Sequence, residues 1–352
     1  MSSRTRALLL AAGLLVVGWV GLALVPAPYV VMSPGPTVNL LAQSKGKELV
    51  EVSGAQAYHD DGALRMLTVV STGPGDHVSL VRALVAWLTP GNSVYRYDDI
   101  YRPAETSKTL REDAAVDMVS SQDAAVAVAL KKLGIAYKTR VQVLGVVGGG
   151  PSDGKLEVHD QILKVDGVRT KTTTEVVDNV KAHTPGAKIP ILVLREGKQQ
   201  TVTVTSTKSA QDPTKAAVQV TVGLGYEFPY DVTVNIDPSI GGPSAGMMFA
   251  TAIYDTLTPG SLTGGKSVAG TGTIDAKGNV GPIGGIQQKL AAAQAAGAQL
   301  FLAPGGNCPE VVDSGWTDKG MRVLRVDSFE QAIWDIEAWR NDPNADLVDC
   351  TS

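Results

Sequence analysis

The sequence predicts a mixed α+β / α/β protein with an N-terminal transmembrane helix, a β-rich module in the middle and an α/β domain towards the C-terminus. Three observations predict this order. Residues 7–25 are uncharged and mostly apolar, residues 137–205 read as short strands broken by turns, and residues 208–342 alternate between strand-like and helix-like segments. A length of 352 residues is enough for two or three domains.

The N-terminal helix is predicted to anchor the protein in a membrane. Its apolar run of about nineteen residues is long enough to cross a bilayer and longer than most signal-peptide cores. Arg4 and Arg6 precede the run and predict a cytoplasmic N-terminus. We therefore expect a single-pass protein of the cell membrane with the remaining residues outside the cytoplasm. The alternatives are a cleaved signal peptide, although Val25-Pro26-Ala27 lacks an Ala-x-Ala pattern, and a buried core helix.

Residues 29–136 carry secondary-structure signals but no functional motif. Residues 65–70 predict a strand, and residues 78–88 form an apolar stretch between two Gly/Pro turns. A helix is predicted to start at Ser120 or Ser121 as its N-cap and to end at Gly134. We expect this region to lie outside the cytoplasm and to pack with the C-terminal domain.

The β-rich module resembles the PDZ family. Residues 154–168 follow the signature Gly-x-Leu-x-x-Gly-Asp-x-Ile-x-x-Val-Asp-Gly, with His159 in place of the second glycine. A strand at 141–147, a helix at 174–182 and strands at 189–195 and 201–204 complete the expected order. The resemblance implies binding of an extended peptide or of a polypeptide C-terminus by strand addition. We expect the carboxylate-binding turn near residues 138–140, although a clear Gly-Leu-Gly-Phe loop is missing there, and bracing or gating of the C-terminal domain is the alternative role.

A serine lies between glycines in residues 241–246, which read Gly-Gly-Pro-Ser-Ala-Gly before an apolar helical run. Glycines allow close approach of a substrate, and N–H groups at a helix start are suited to holding an oxyanion. Ser244 is therefore a candidate nucleophile, with the backbone around Gly242 and Ala245 as the candidate oxyanion site. Its hydroxyl needs a base. A lysine serves if burial lowers its pKa, and Lys289 precedes an alanine-rich helical run.

Both blocks resemble the Lon-type serine-lysine protease domain, over roughly residues 218–339. The nucleophile motif ends in Gly-Pro-Ser-Ala-Gly and the lysine follows a Pro-Ile-Gly-Gly segment. The resemblance implies Ser244 as nucleophile, Lys289 as general base and Thr271 as a hydrogen-bonding partner near the lysine. Where ATP-dependent members carry an acidic residue two positions before the proline, this sequence has Gly241. The resemblance also makes a homo-oligomeric ring, such as a hexamer, an expectation.

The hypothesis from the sequence is a membrane-anchored, ATP-independent serine-lysine endopeptidase that cleaves unfolded or extended polypeptides outside the cytoplasm. The main alternative is a non-catalytic PDZ-containing binding or scaffold protein of the cell envelope with an inert Lon-like fold. Gly241 favours that alternative, whereas the presence of both Ser244 and Lys289 favours the enzyme. A signal-peptidase-like serine-lysine enzyme fits the lysine context less well.

Other partners are excluded by composition and spacing. The net charge is −4 and no basic tract is present, so we expect no nucleic-acid partner. The sequence also lacks a CxxC pair and a His/Cys cluster, so we expect no metal site. Residues 260–267 fit a phosphate-loop pattern, but a strand-like run follows them, so we interpret them as a surface loop and predict no cofactor. Cys308 and Cys350 suit an oxidising compartment if they pair. A disulfide between them is our prediction, with two free thiols as the alternative.

These signals predict five regions. They are the cytoplasmic tip and transmembrane anchor at residues 1–28, the N-terminal extracytoplasmic region at 29–136, the PDZ-like domain at 137–207, the Lon-like domain at 208–342 and a C-terminal tail at 343–352.

Overall fold

A computed structural model describes residues 3–44, 46–76, 78–103, 105–316 and 320–351. For residues 6–8, 15, 22 and 24 it describes the backbone only. Met1 and Ser2 of the predicted anchor, and the Arg6 side chain used in the topology prediction, lie outside the described part.

Helix α1 (Ser3–Leu24) is the apolar N-terminal segment. It is long and apolar enough to cross a membrane, a test of length and composition that a signal sequence also passes. The span is not buried against the rest of the protein. The next elements are β1 (Pro26–Ala27), β2 (Tyr29–Asn39), β3 (Gln43–Ser44), β4 (Lys47–Glu48), β5 (Val50–Ser53), β6 (Ala63–Ser71), β7 (Val78–Ser79), α2 (Leu80–Leu88), β8 (Ser93–Arg96), α3 (Tyr97–Ile100) and α4 (Ser107–Lys132).

The predicted start of the long helix at Ser120 or Ser121 is wrong. Helix α4 begins at Ser107, and its cap is Thr106, whose side chain accepts a hydrogen bond from the Thr109 N–H in a capping box. Ser121 lies inside the helix, where its hydroxyl donates to the Pro243 carbonyl at 3.1 Å. Ser121 therefore contributes to packing between elements and not to capping.

The PDZ-like region forms an antiparallel sheet with one helix. Its elements are β9 (Lys138–Val146), β10 (Gln161–Val165), β11 (Val168–Arg169), α5 (Thr173–Lys181), β12 (Lys188–Arg195), β13 (Lys198–Thr205), β14 (Thr207–Lys208), β15 (Ala216–Ala217) and β16 (Val220–Glu227). The strand order is β13-β12-β10-β9-β16, and β11 pairs with β10. Strand β16 falls in the region predicted as Lon-like at residues 208–342, but it pairs with β9 in this sheet.

The remaining elements follow in sequence order. They are β17 (Asp231–Val234), α6 (Gly246–Leu257), β18 (Ser267–Gly270), β19 (Thr273–Ile274), β20 (Val280–Gly281), α7 (Ile286–Ala295), β21 (Leu300–Pro304), α8 (Cys308–Asp313), β22 (Arg322–Val326) and α9 (Phe329–Asn341). Strand β17 pairs with β5 and β19 with β20 in separate two-stranded sheets, whereas β18, β21 and β22 complete a second sheet. The order β22-β21-β18-β6-β2-β8 joins strands from both ends of the sequence. Strands β22, β21, β18 and β6 are parallel, and β2 is antiparallel to both of its neighbours.

Helices cover both faces of this second sheet. Buried residues of α4, α6 and α9 form one apolar cluster with alternate sheet residues such as Leu64 and Val268. Residues of α7 and α8 form another cluster with the intervening sheet residues, such as Ala269 and Phe301. Side chains alternate between the two faces of a strand, so the short apolar strands predict burial on both sides. The result is a three-layer α/β sandwich.

Candidate active site

The site forms where strand β18 ends between the two helix layers. Ser244 precedes α6 on one face of the sheet, and Lys289 lies in α7 on the other. Thr271 directly follows β18 and lies between them. Because the strand stops there, side chains from opposite layers meet past its carboxyl end, the usual position of sites in sheets of this type.

Backbone hydrogen bonds hold the loop that carries Ser244. The Gly272 N–H donates to the Ser244 carbonyl at 2.9 Å, and the Met247 N–H donates to the Gly272 carbonyl at 3.1 Å. On the other side, the Gly242 N–H donates to the Ala114 carbonyl of α4 at 2.9 Å. The loop is therefore fixed between α4 and the end of β18.

Lys289 is nearly inaccessible to water. This residue is 2% exposed, and its Nζ lies 2.9 Å from the Ser244 Oγ. Burial lowers the pKa of Lys289 to about 8, because the apolar surroundings disfavour the charged ammonium. A substantial fraction of this amine is therefore neutral near physiological pH, as a general base requires.

Thr271 fixes the direction in which the amine points. Its Oγ1 donates to the Ser244 carbonyl at 2.9 Å and lies 2.9 Å from the Lys289 Nζ. A hydroxyl has one hydrogen, so Thr271 must accept from Lys289. A neutral amine in this arrangement keeps its lone pair for the proton of the Ser244 hydroxyl.

The backbone around Ser244 revises the predicted oxyanion donors. The Gly242 N–H is already bonded to Ala114, so this conformation does not support Gly242 as a donor to an oxyanion. The N–H groups of Ser244 and Ala245 have no acceptor among the described residues. Gly242 instead contributes a turn, since its φ of +90° lies in the left-handed region that favours glycine.

Gly241 has a packing explanation. A Cβ at this position would lie 2.8 Å from the Ala114 Cβ, closer than side chains approach. An acidic residue would therefore push α4 away from the nucleophile loop. The departure from the ATP-dependent pattern follows from the position of α4, and it does not weaken the Ser244 arrangement.

A groove of about 360 Å³ leads to Ser244 and Lys289. One wall is residues 66–70 of β6, and the other is residues 239–242. Strand β18 pairs with only Ala63, Leu64 and Arg65 of β6. Residues 66–71 of β6 consequently have one edge without a strand partner among the described residues, and the groove runs along that edge.

In the PDZ-like region, the structure describes the position of the motif glycine and the predicted carboxylate-binding turn. His159, which replaces the motif glycine, has a φ of +71°, the backbone conformation that favours glycine. Lys138 and Arg140, near the predicted carboxylate turn, instead form ion pairs with Glu227 at 3.4 and 3.0 Å.

A Gly-Leu-Gly-Tyr segment at residues 223–226 was not predicted as the carboxylate-binding loop, because that loop was expected before β9. The segment lies in β16, at the end of the sheet, with α5 beside it. Its glycines allow the Leu144 and Gln142 side chains of β9 to pack against the strand, since a Cβ would lie within 2.3 Å of them.

Two other sequence predictions concern cysteines and ligands. A disulfide joins Cys308 to Cys350 and holds the C-terminal tail against α8. Within the described residues, no three His, Cys, Asp or Glu side chains form a group that could hold a metal ion. The loop at residues 260–267 leads into β18 and not into the helix that a phosphate loop requires.

Comparison with known proteins identifies two domains. The profile of the Lon protease (S16) C-terminal proteolytic domain matches residues 231–334, and the PDZ domain profile matches residues 111–205. The protein therefore combines a Lon-type proteolytic domain with a PDZ domain.

Similar curated proteins are Lon proteases. The Rickettsia bellii Lon protease is 33% identical over 117 residues, which are 32% of this sequence and 15% of that protein. The Roseiflexus castenholzii Lon protease is 44% identical over 70 residues, 20% of this sequence and 8% of that protein. Lon protease 1 of Bacillus subtilis is 28% identical over 172 residues, which are 46% of this sequence and 21% of that protein. The present sequence thus matches a quarter or less of the length of these relatives.

Among solved structures, the protein is similar to PDZ domains of SdrC-like proteins. The domain from Listeria monocytogenes is 20% identical with a TM-score of 0.22, and the match covers 24% of this sequence and 86% of that domain. The domain from Listeria innocua is 21% identical with a TM-score of 0.22, and the match covers 24% of this sequence and 92% of that domain.

Proposed function

We propose that the protein is a membrane-anchored serine endopeptidase that works without ATP through a Ser244–Lys289 dyad. The observation that carries this proposal is the distance of 2.9 Å between the Lys289 Nζ and the Ser244 Oγ in a buried setting. A solvated lysine on a surface helix would give neither the contact nor the lowered pKa.

The proposed reaction is peptide-bond hydrolysis in which Lys289 carries the proton between steps. Ser244 Oγ attacks the peptide carbonyl while its proton passes to Lys289, and the carbonyl oxygen becomes an oxyanion held by the Ser244 and Ala245 N–H groups. As the tetrahedral intermediate collapses, Lys289 gives the proton to the leaving amine. Lys289 then takes a proton from water, which attacks the acyl-serine, and returns that proton to the Ser244 Oγ as the ester bond breaks and the second product leaves.

The substrate is proposed to bind as an extended strand along β6. Strand addition satisfies backbone N–H and C=O groups on both the substrate and the open edge of residues 66–71. A folded domain cannot offer a free strand of this kind, so the substrate class is unfolded or extended polypeptide. The open edge of β16 beside α5 is the corresponding proposed site for a peptide or a polypeptide C-terminus in the PDZ domain.

The proposed location is the outer side of a cell membrane, with the N-terminus in the cytoplasm. Helix α1 supports the anchor, and the Cys308–Cys350 disulfide suits an oxidising compartment. Arg4 on the N-terminal side of the helix supports the orientation.

A peptidyl boronate tests the nucleophile directly, because boron accepts a lone pair from a serine oxygen and mimics the tetrahedral intermediate. We expect the full-length protein in detergent to bind the boronate, with at least a tenfold loss of affinity in Ser244→Ala. Equal binding by both proteins would favour the non-catalytic scaffold. Ser53→Ala, at an exposed position of β5 outside the groove, is the control and should bind as the wild type does.

A further inference from the structure

Helix α2 turns its large apolar side chains away from the protein. The five exposed ones, at 36% to 70% exposure, are Leu80, Leu84, Val85, Trp87 and Leu88. The side chains that this helix buries are Ala83 and Ala86. On helix geometry the exposed five cover an arc of about 160°. A helix folded onto a soluble core has the reverse arrangement, with large apolar residues inside.

The protein beneath α2 offers little that would explain this orientation. The two alanines pack in a small separate cluster with Val31 and Val78. Four of the five large side chains, those of residues 84, 85, 87 and 88, are each more than half exposed. A contiguous exposed apolar surface of this kind marks an interaction site.

Helix α2 lies directly beside the end of α1. Strand β1, which follows α1, pairs with β7, which leads into α2, with Pro26 opposite Ser79 and Ala27 opposite Val78. The two helices also contact each other. Wherever α1 leaves a bilayer, α2 must therefore lie at the same surface.

The residues around the apolar arc suit a membrane interface. Trp87 is the most exposed side chain of the arc, and tryptophan prefers the headgroup level of a bilayer. Arg82 lies at the border of the arc, where its stem can follow apolar surface while its charge meets headgroup phosphates.

We propose that α2 lies in the interfacial region of the membrane leaflet at which α1 ends, with its apolar arc towards the acyl chains. The occupant of this face is the lipid bilayer, because the face continues from the helix proposed to span it. This inference rests on the membrane anchoring proposed above. It gives the protein a second membrane contact and holds the β8 edge of the sheet against the bilayer.

This placement narrows the substrate class. Strand β6 lies two strands from β8, which is about 10 Å in a sheet. The groove that leads to Ser244 then opens close to the lipid surface. The polypeptides that reach it are extended segments that emerge from the membrane or are tethered to it.

Lipid quenching of a fluorophore tests the contact in the full-length protein. Single cysteines introduced as Leu84→Cys or Trp87→Cys are labelled with an environment-sensitive dye, and the protein is reconstituted in phosphatidylcholine vesicles with nitroxide on the acyl chains. A label at Leu14→Cys in α1 reports whether α1 is inserted in the bilayer. Trp334→Cys, at a similarly exposed apolar position on α9, is the matched control.

We expect the labels at positions 84 and 87 to be quenched at least about twofold more than the label at 334. Quenching at 14 with no excess at 84 and 87 would overturn the proposal while leaving the anchor intact. A blue-shifted but unquenched label would also overturn it, since a second copy or another protein would then cover the face. Absence of quenching at all positions would remove both the anchor and the contact.

Discussion

Lys289 is an amine placed in a protein interior, and its burial acts in opposite directions on activity and on stability. The folded state lowers the pKa of this residue from 10.5 to about 8 and so favours the neutral base. Between these values the unfolded state binds more protons, so this group makes folding more favourable as pH rises. The same desolvation that supplies a base at neutral pH therefore costs stability there.

The lowered pKa predicts the pH dependence of cleavage. We expect kcat/KM to rise about tenfold per pH unit below about pH 8 and to level off above it, because only neutral Lys289 accepts the Ser244 proton. The measurement is cleavage of a fluorogenic peptide from about pH 6 to about pH 10. A profile with its inflection near the usual histidine pKa of about 6.5 would contradict the dyad.

Thr271 is predicted to position the lysine without touching the substrate. Thr271→Val keeps the shape but removes the hydroxyl that orients the Lys289 Nζ, so kcat should fall roughly 10- to 100-fold, the value of a hydrogen bond to a charged or strongly polar group. KM should change little. Thr271→Ser keeps the hydroxyl and should retain most activity; equal loss in both variants would contradict the hydrogen-bond role.

At the scale of single residues, the sequence motifs identified the candidate catalytic residues but not the contacts around them. Ser244, Lys289 and Thr271 were identified from local patterns, and the structure brings them within hydrogen-bond distance. The reason for Gly241 was not predictable, because the residue it accommodates is Ala114, on a distant helix. His159 was visible as a departure from the motif, but its positive φ required the backbone.

The elements at the groove support the proposed mode of substrate binding. Strand β18 stops pairing with β6 at Arg65, and the β6 edge beyond it forms a wall of the groove. If the substrate adds to that edge, alternate backbone amides of the substrate face β6 and the intervening ones face solvent.

This geometry predicts that every second backbone amide of the peptide contributes to binding at the β6 edge. Peptide substrates with a single N-methyl amide, moved one residue at a time, should lose roughly 10-fold in kcat/KM at alternate positions and little between them, since each methyl removes one N–H donor. The measurement is the series of kcat/KM values in one buffer. Uniform sensitivity along the peptide would contradict strand addition.

The sequence predicted most elements but misassigned two. The Ser120-Ser121 pair looked like a helix start, yet the capping box lies at Thr106, and the Ser121 hydroxyl bonds to Pro243 in the nucleophile loop. The strand β16 follows the PDZ-like region after a turn-rich segment and was assigned to the next domain. Its pairing with β9 is a long-range contact that no local pattern reveals.

In the whole molecule, α4 connects the PDZ domain with the Lon-type domain. It packs against α6, which follows Ser244, and against β9 and β16 of the PDZ domain. Asp123 of α4 lies mostly buried at this junction, hydrogen-bonded by Gln142 and 3.6 Å from the His159 Nε2. Burial raises the pKa of Asp123 to about 6, although His159 and Gln142 partly oppose the shift.

The raised pKa predicts how this junction responds to pH. Between about pH 4 and about pH 6 the folded state binds more protons at Asp123, so its contribution to stability falls as pH rises. Asp123→Asn should remove this slope and stabilise the protein by at most about 3 kcal/mol above pH 6. Urea unfolding across this range measures it, with exposed Asp313→Asn as the control; an unchanged slope in Asp123→Asn would contradict the assignment.

The most direct test of the catalytic proposal is cleavage of an unfolded protein by the full-length enzyme without nucleotide, compared with Ser244→Ala and Lys289→Ala. We predict that the wild type cleaves the substrate and that each variant loses at least about 10³-fold in rate, because neither member of a catalytic unit works alone. Retention of wild-type cleavage by either variant would contradict the dyad.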